Sequence, residues 1–504
     1  MKKILHSGIL SFSIILLIQL GMIVSLVFWL NEYREYILGA TSLLSAILLV
    51  YEINRPVEPA FKYAWIVMIT VLPIFGGLLY LYTHINVITK GISKKTKIIA
   101  QQTKKYLLQD KFVFEEVQRE TDIAGISRYL NEYADCPTYK NTYVEYFPLG
   151  DDKFLKMKSE LERAKKFIFM EYYIVDISSS MWKEILGILK RKVNEGVEVR
   201  FMYDAMGSLK VFPADYVEEL EKLGIKCQIF KKVTPILETY QNNRDHRKIL
   251  VIDGHTAFTG GVNIADEYVN TKVRFGHWKD TAVMIKGDAV KSFTVMFLQM
   301  WNLNAKQPER YEDYFIKNSV ESEGFVIPYC DSPIDDENVG ERVYLDIINR
   351  AKKYVHIMTP YLVISHEMQE AMKYAVKRGV DVRIIMPHIP DKAYALWLAR
   401  SYYKKLISSG VQIFEYDKGF VHAKVTTSDD EVAVVGTINY DYRSLYLNYE
   451  CALLMCKVPE IENVEKDYKK TENMCTKINL KKYKEFNIFG RLFGMVIRLF
   501  APLI

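Results

Sequence analysis

Three ionisable residues interrupt an aliphatic run in HRKILVID, residues 246–253, and the same three return later in the chain. The first set is His246-x-Lys248-x4-Asp253, followed by Gly260, Gly261 and Asn263. The second is His422-x-Lys424-x4-Asp429, followed by Gly436, Thr437 and Asn439, with every offset from the histidine preserved. A lone HxK is noise; two copies with five shared offsets describe a site. In an extended strand residues i and i+2 face the same way, so each histidine projects with its lysine. Two such pairs in one cleft would surround an anion such as phosphate. The lysines are fixed point charges, and Asn263 and Asn439 can add neutral hydrogen bonds to phosphoryl oxygens, stabilising charge in the transition state. One neutral imidazole can attack phosphorus and form a phosphohistidine. The other, protonated, can donate to the leaving oxygen and then deprotonate the incoming nucleophile. Such a two-step route lets an alcohol replace water.

Asp253 and Asp429 complete the repeated set and join it as candidate catalytic residues, although a carboxylate closing a strand more often makes a turn or an ion pair. A further alignment sets HWKDTAVMI (277–285) against LNYECALLM (447–455) and matches Asp280 with Glu450. A carboxylate on a buried strand is costly without a partner. Here it can accept a histidine Nδ1–H and fix the tautomer.

The elements that must position these residues are duplicated too. RAKKFIFMEYYIV (163–175) is echoed by RAKKYVHIMTPYLV (350–363), GVEVRFMYD (196–204) by GVDVRIIMP (379–387), and LGIKCQIF (223–230) by SGVQIFEY (409–416). Short aliphatic runs alternating with helical patterns predict α/β domains, each a parallel or mixed sheet flanked by helices. Two homologous domains are expected, at 111–320 and 321–480, joined by the polar segment around 304–325. A tail at 481–504 places apolar residues at helical spacing, with Arg491 and Arg498 on another face, which suits an interfacial helix.

Residues 1–110 read as a membrane anchor with two or three transmembrane helices. Gly8–Leu30 and Tyr63–Thr83 are uncharged runs long enough to span a bilayer, whereas Tyr36–Tyr51 is a marginal span. Lys90, Lys94, Lys95, Lys97, Lys104 and Lys105 precede the first acid after the third run, Asp110, which places the following domains on the cytoplasmic side. Six scattered cysteines without a CxxC pair suggest neither disulfides nor a zinc site. The net charge of +6 comes with no long basic track, which argues against a nucleic-acid partner.

The paired HxKxxxxD motifs resemble the phospholipase D superfamily, whose members transfer phosphodiesters through a phosphohistidine and need no metal. Within it the chain is similar to the bacterial cardiolipin synthases, on NNRDHRKILVIDG (242–254), TGGVNIADEY (259–268), HWKDT (277–281), FVHAK (420–424) and VVGTINYDYRSLYLNYE (434–450). AFKYAWIVMITVLPIFGGLLYL (60–81) is similar to that family's membrane segment. The resemblance implies two phospholipase D-like domains that join two phosphatidylglycerol molecules into cardiolipin and glycerol, with no cofactor. It implies a multi-pass enzyme of the bacterial cell membrane acting on phosphatidylglycerol and other anionic phospholipids. His246 would be the nucleophile and His422 the acid and base. Lys248, Lys424, Asn263 and Asn439 would bind the phosphoryl group, with Asp280 and Glu450 orienting the histidines. The run at 36–51 departs from the two-span pattern common in the family. Rival readings are a phospholipase D-type hydrolase, a phosphatidyltransferase with a different acceptor, and a catalytically idle protein that binds membrane surfaces. The oligomeric state is left open by the sequence.

Overall fold

The computed structural model describes residues 31–503 together with Leu17, Leu20, Gly21 and Ser25, apart from 85–86, 209–212, 214, 232–242, 304–308, 318 and 336. Apart from those four residues, the first apolar run lies outside the described part.

Ile92–Lys231 and Arg244–Gly494 form one compact body that holds two large sheets and two two-stranded ones. The first half contributes β1 (Thr142–Phe147), β2 (Phe167–Tyr172), β3 (Glu198–Asp204), β4 (Lys226–Phe230), β5 (Ile249–Ile252), β6 (Thr256–Gly260), β7 (His277–Lys279) and β8 (Ala282–Gly287). The second contributes β9 (Phe325–Asp331), β10 (Tyr354–Met358), β11 (Leu362–Val363), β12 (Asp381–Pro387), β13 (Gln412–Tyr416), β14 (Gly419–Val421), β15 (Val425–Ser428), β16 (Val432–Gly436), β17 (Tyr440–Asp441), β18 (Glu450–Cys456) and β19 (Cys475–Ile478).

The sheet orders are β1-β8-β6-β5-β2-β3-β4 and β9-β18-β16-β15-β10-β12-β13-β19. Strand for strand these are one topology, with β19 added at an edge. β2, β3 and β4 run parallel, as do β10, β12 and β13, and the remaining pairings of both sheets are antiparallel. The sheets are therefore mixed, and their central strands read as continuous apolar runs because both faces are covered: every residue of β2, β5 and β6 is buried.

The helices between the parallel strands begin and end alike in both halves. Ser179 accepts the amide of Trp182 and Ser365 that of Met368, the side-chain caps expected at helix starts. Gly196 and Gly379, at φ +87° and +92°, turn each chain back toward its next strand in a conformation that costs glycine little. The halves share one core. Val251, Ala257 and Val283 of the first sheet cluster with Val425, Val435 and Leu453 of the second, around Phe293 and Phe297 of the helix Val290–Asn302.

The described parts of Met1–Gly91 and Met495–Ile504 belong to the other body. The middle apolar run, expected to be marginal, is carried by the helix Arg34–Asn54, of which Glu35–Asn54 is long and apolar enough to cross a membrane. It is the one such helix among the described residues. The third run, expected as a full span, is instead two helices of 13 and 12 residues, Pro59–Val71 and Pro73–His84. Proline lacks an amide and clashes with the preceding turn, so Pro73 starts a new helix instead of continuing the old one. The two fold tightly on each other: a Cβ on Gly76 would lie 2.3 Å from the Met68 carbonyl oxygen. Glu52, fully buried, accepts from Arg55 at 2.8 Å and from the Tyr80 hydroxyl at 2.6 Å.

Candidate active site

The two HxK segments lie where the halves exchange backbone. The amide of His246 donates to the Tyr449 carbonyl at 2.9 Å, and that of Tyr449 donates to the Arg244 carbonyl at 2.7 Å. The second copy mirrors this: β14 pairs in parallel with β7, and the amide of His422 donates to the Lys279 carbonyl at 2.7 Å. Tyr449 directly precedes Glu450, and Lys279 directly precedes Asp280. Each carboxylate is thereby delivered to the histidine of the opposite half.

His246 Nδ1 lies 2.9 Å from both oxygens of Glu450, and His422 Nδ1 lies 2.7 Å from Asp280 Oδ2. Both carboxylates are 0% exposed and are themselves held. Thr437 and Asn448 donate to Glu450, and the Thr281 amide donates to Asp280 at 2.8 Å. Gly261, the counterpart of Thr437, leaves room for the other carboxylate, since a Cβ there would sit 2.0 Å from Asp280 Oδ1. Burial would raise both carboxyl groups. The facing histidine and the nearby lysine outweigh it and hold both below the ordinary range. Burial lowers both histidines. The site therefore rests as two neutral imidazoles against two carboxylates, with each Nδ1–H engaged and each Nε2 left for chemistry.

Lys248 and Lys424 point back onto their own histidines' carbonyl oxygens, and Lys424 Nζ also reaches His422 Nδ1 at 3.0 Å. Burial pushes these amines down to about 8 and about 7. The arrangement brings two imidazoles and two poised amines into one buried cluster, which suits an anion with charge to share.

The two asparagines are not equivalent. Asn263 accepts the Ile174 amide at 3.0 Å and donates to the Tyr268 hydroxyl at 2.9 Å, so most of its capacity serves the loop around it. Asn439 is buried with an unpartnered Oδ1.

Asp253 and Asp429, candidates for the catalytic set and equally for a turn, stand at turns in the structure. They stand at the far ends of β5 and β15 from the histidines. Both are left-handed, at φ 52° and 58°. Asp253 accepts the amides of Lys165, Lys166 and Phe167 at 2.7 to 2.8 Å. Asp429 accepts those of Lys352, Lys353 and Tyr354 at 2.7 to 2.9 Å. Each aspartate ties its hairpin to the start of the neighbouring strand, β2 or β10.

Sequence reasoning missed several neighbours. The Tyr173 ring meets His246 edge-on at 5.1 Å, and Tyr268 meets His422 at 5.4 Å. Lys153, 2% exposed, donates to the Tyr172 hydroxyl at 3.2 Å, and burial pushes its amine down to about 7. Nothing in the sequence around Lys153 sets it apart. Thr437 had a signal, since it replaces glycine at a matched offset.

The family described as cardiolipin synthase, PLD-like domain, matches residues 157–301 and 344–471, one stretch in each half. Cardiolipin synthase 2 of Bacillus anthracis is 33% identical over 451 residues, covering 89% of this chain and 87% of that one. The cardiolipin synthase of Geobacillus kaustophilus is 31% identical over 498 residues, covering 97% and 98%. An uncharacterized protein of Streptococcus mutans is 45% identical over 458 residues, covering 90% and 99%. Among solved structures, the phosphatidylserine synthase of Haemophilus influenzae Rd KW20 superposes with a TM-score of 0.57 at 17% identity, covering 75% of this chain and 97% of that one, a likeness of fold. With a match on each duplicated half and relatives aligned over most of their length, the chain belongs to the phospholipase D-like family of cardiolipin synthases.

Proposed function

We propose that the chain is a phosphatidyltransferase that joins two phosphatidylglycerol molecules into cardiolipin, with release of glycerol. The observation that carries this reading is the crossed arrangement of the site: two neutral imidazoles, each held at Nδ1 by a carboxylate of the other half, beside two buried lysines. His246 Nε2 attacks the phosphorus of the donor lipid, and the bond from phosphorus to the glycerol head group breaks. His422, protonated, gives its proton to the departing oxygen. A terminal hydroxyl of the second phosphatidylglycerol then loses its proton to His422 and attacks the phosphohistidine, which frees His246. Lys248, Lys424 and the Asn439 Nδ2–H group hold the phosphoryl oxygens. Substrate charge is what makes a protonated His422 affordable, because an anion beside it opposes the effect of burial.

The lipid is reached from a membrane-bound position. The helix Glu35–Asn54 spans the bilayer, the short pair Pro59–Val71 and Pro73–His84 enters it as a hairpin, and the lysines from Lys90 to Lys105 mark the cytoplasmic side. The C-terminal helix Ile488–Arg498 lies in the interface, where its exposed Phe489 and Leu492 meet the acyl boundary.

The test uses the full chain in phosphatidylglycerol vesicles, with products identified by mass spectrometry. Wild type is expected to give cardiolipin and glycerol, and His246→Ala and His422→Ala neither. Phosphatidic acid without cardiolipin would mean that water is the acceptor and would replace this reading with a hydrolase.

A further inference from the structure

The two halves of the site differ two residues before each histidine. Arg244, His246 and Lys248 alternate along one extended segment, whereas the second copy reads Phe420, His422 and Lys424. Alternate residues share a face, so the first half adds a guanidinium to the row and the second adds a phenyl ring. Phe420 packs on Trp278 with ring centroids 5.0 Å apart, an apolar filling. Arg244 is not filling. It is 3% exposed, and neither terminal nitrogen has a hydrogen-bond partner. A guanidinium offers five donors, and leaving them unmet in a buried place is costly.

The one carboxylate within ion-pair reach of Arg244 among the described residues is Asp204, at 3.7 Å. That group is committed elsewhere. Its Oδ1 accepts the amides of Met206 and Gly207 at 2.7 and 3.3 Å, and its Oδ2 accepts the amide of Asp245 at 3.1 Å. Two further basic side chains act on the same surroundings. Burial and then Arg244 push the Lys231 amine down to about 6. Arg443 and Arg244 both act on the hydroxyl of Tyr173, whose ring lies against His246.

We propose that Arg244, with Lys231 and Arg443 beside it, forms a second phosphate-binding site on the His246 side of the cleft, which receives the phosphate that the acceptor lipid already carries. The proposal rests on the transfer reading above and deepens it. Cardiolipin holds two phosphates joined by a three-carbon bridge, comparable with the roughly 6.6 Å between alternate residues of an extended chain. One phosphate reacts at His246. The other needs charge about one bridge away, and the position two residues back supplies it. An acceptor without a phosphate, such as water or a simple alcohol, gains nothing there. The site thus favours phosphatidylglycerol over water as second nucleophile, and it breaks the symmetry of the duplicated halves by giving acceptor recognition to the first.

The test is a partition experiment on the full-length chain in phosphatidylglycerol vesicles containing ethanol. Wild type is expected to form both cardiolipin and phosphatidylethanol. In Arg244→Gln the ratio of cardiolipin to phosphatidylethanol should fall about tenfold or more, the scale of a lost charge-assisted hydrogen bond, and Arg244→Lys should restore part of it. If both products fall together, Arg244 serves the fold or the first transfer and the proposal is overturned; an unchanged ratio overturns it as well. Titration with inorganic phosphate separates this outcome from failure of the transfer reading. Two bound phosphates per wild-type chain and one per Arg244→Gln chain are expected. One in both proteins removes the second site even if cardiolipin is made. Two in wild type without cardiolipin removes the transfer reading and leaves the site.

Discussion

Burial pushes the Lys424 amine down to about 7, with Lys248 depressing it further, and leaves Lys248 at about 8. The two amines are therefore poised to lose protons near neutrality, which an ordinary lysine does only near 10.4. An anion between the amines reverses this, because it favours their charged forms. By linkage, the bound state holds more protons than the free state wherever pH exceeds the free-state values. Affinity for a tetrahedral anion must then weaken as pH rises through 7 to 8, by about tenfold per pH unit for each proton taken up. Sulfate is the probe of choice, since its own charge is constant in this range. Calorimetric titration between pH 6.5 and 9 is expected to show tightest binding at the acid end. A flat profile would mean that the lysines keep ordinary amine behaviour and that the poise described here is wrong.

The motif aspartates belong to the scale of the hairpin. Asp253 and Asp429 each begin a turn whose two central residues are left-handed, Asp253–Gly254 and Asp429–Asp430. Each also closes three amides at the edge of the neighbouring strand. The copies differ in depth: the Phe167 amide that Asp253 caps is buried, whereas those of Lys352 and Lys353 under Asp429 are exposed. Orphaned buried amides cost about 1 to 3 kcal/mol each, whereas exposed ones turn to water. Asp253→Ala is therefore expected to lower unfolding stability by about 3 kcal/mol and Asp429→Ala by about 1 kcal/mol. Activity per folded molecule should be largely kept in both, measured as specific activity beside urea unfolding. Loss of turnover in a fully folded Asp253→Ala would return that residue to the catalytic set.

This shows what the sequence could and could not say. The matched offsets gave the histidines and lysines, because strand periodicity is written in residue order, and a separate alignment of two strands gave both carboxylates. The offsets also carried the aspartates, since spacing alone does not separate a repeated turn from repeated chemistry. Which carboxylate meets which histidine was hidden, since it depends on β14 crossing to β7 and on Asp245 bridging Tyr449. Hydropathy length called Tyr63–Thr83 one span and passed over Pro73, a break that the residue type alone announces.

At the scale of the whole molecule, duplication alone would give two half-sites, and the exchange of backbone makes them one. His246 depends on Glu450 from the far end of the second half, and His422 on Asp280 from the first. Val251 and Val283 share a core with Val435 and Leu453, so the halves are packed as well as crossed. A chain built this way should couple residues by pairing across the halves and not by nearness in sequence. Glu450 is fully buried, and removing its histidine leaves a carboxylate without its Nδ1–H donor, whereas removing both leaves no such orphan. In double-mutant cycles on unfolding stability, His246→Ala with Glu450→Gln is expected to show a coupling of about 0.5 to 3 kcal/mol, the range for groups in contact. His422→Ala with Asp280→Asn should behave alike. The within-half combinations, His246→Ala with Asp280→Asn and His422→Ala with Glu450→Gln, share only the lysines and no direct hydrogen bond, and should couple more weakly than the cross-half pairs. Denaturant unfolding of the four single and four double variants decides it. Stronger coupling within a half than across would mean that each histidine is held by its own domain, and the crossed site would have to be abandoned.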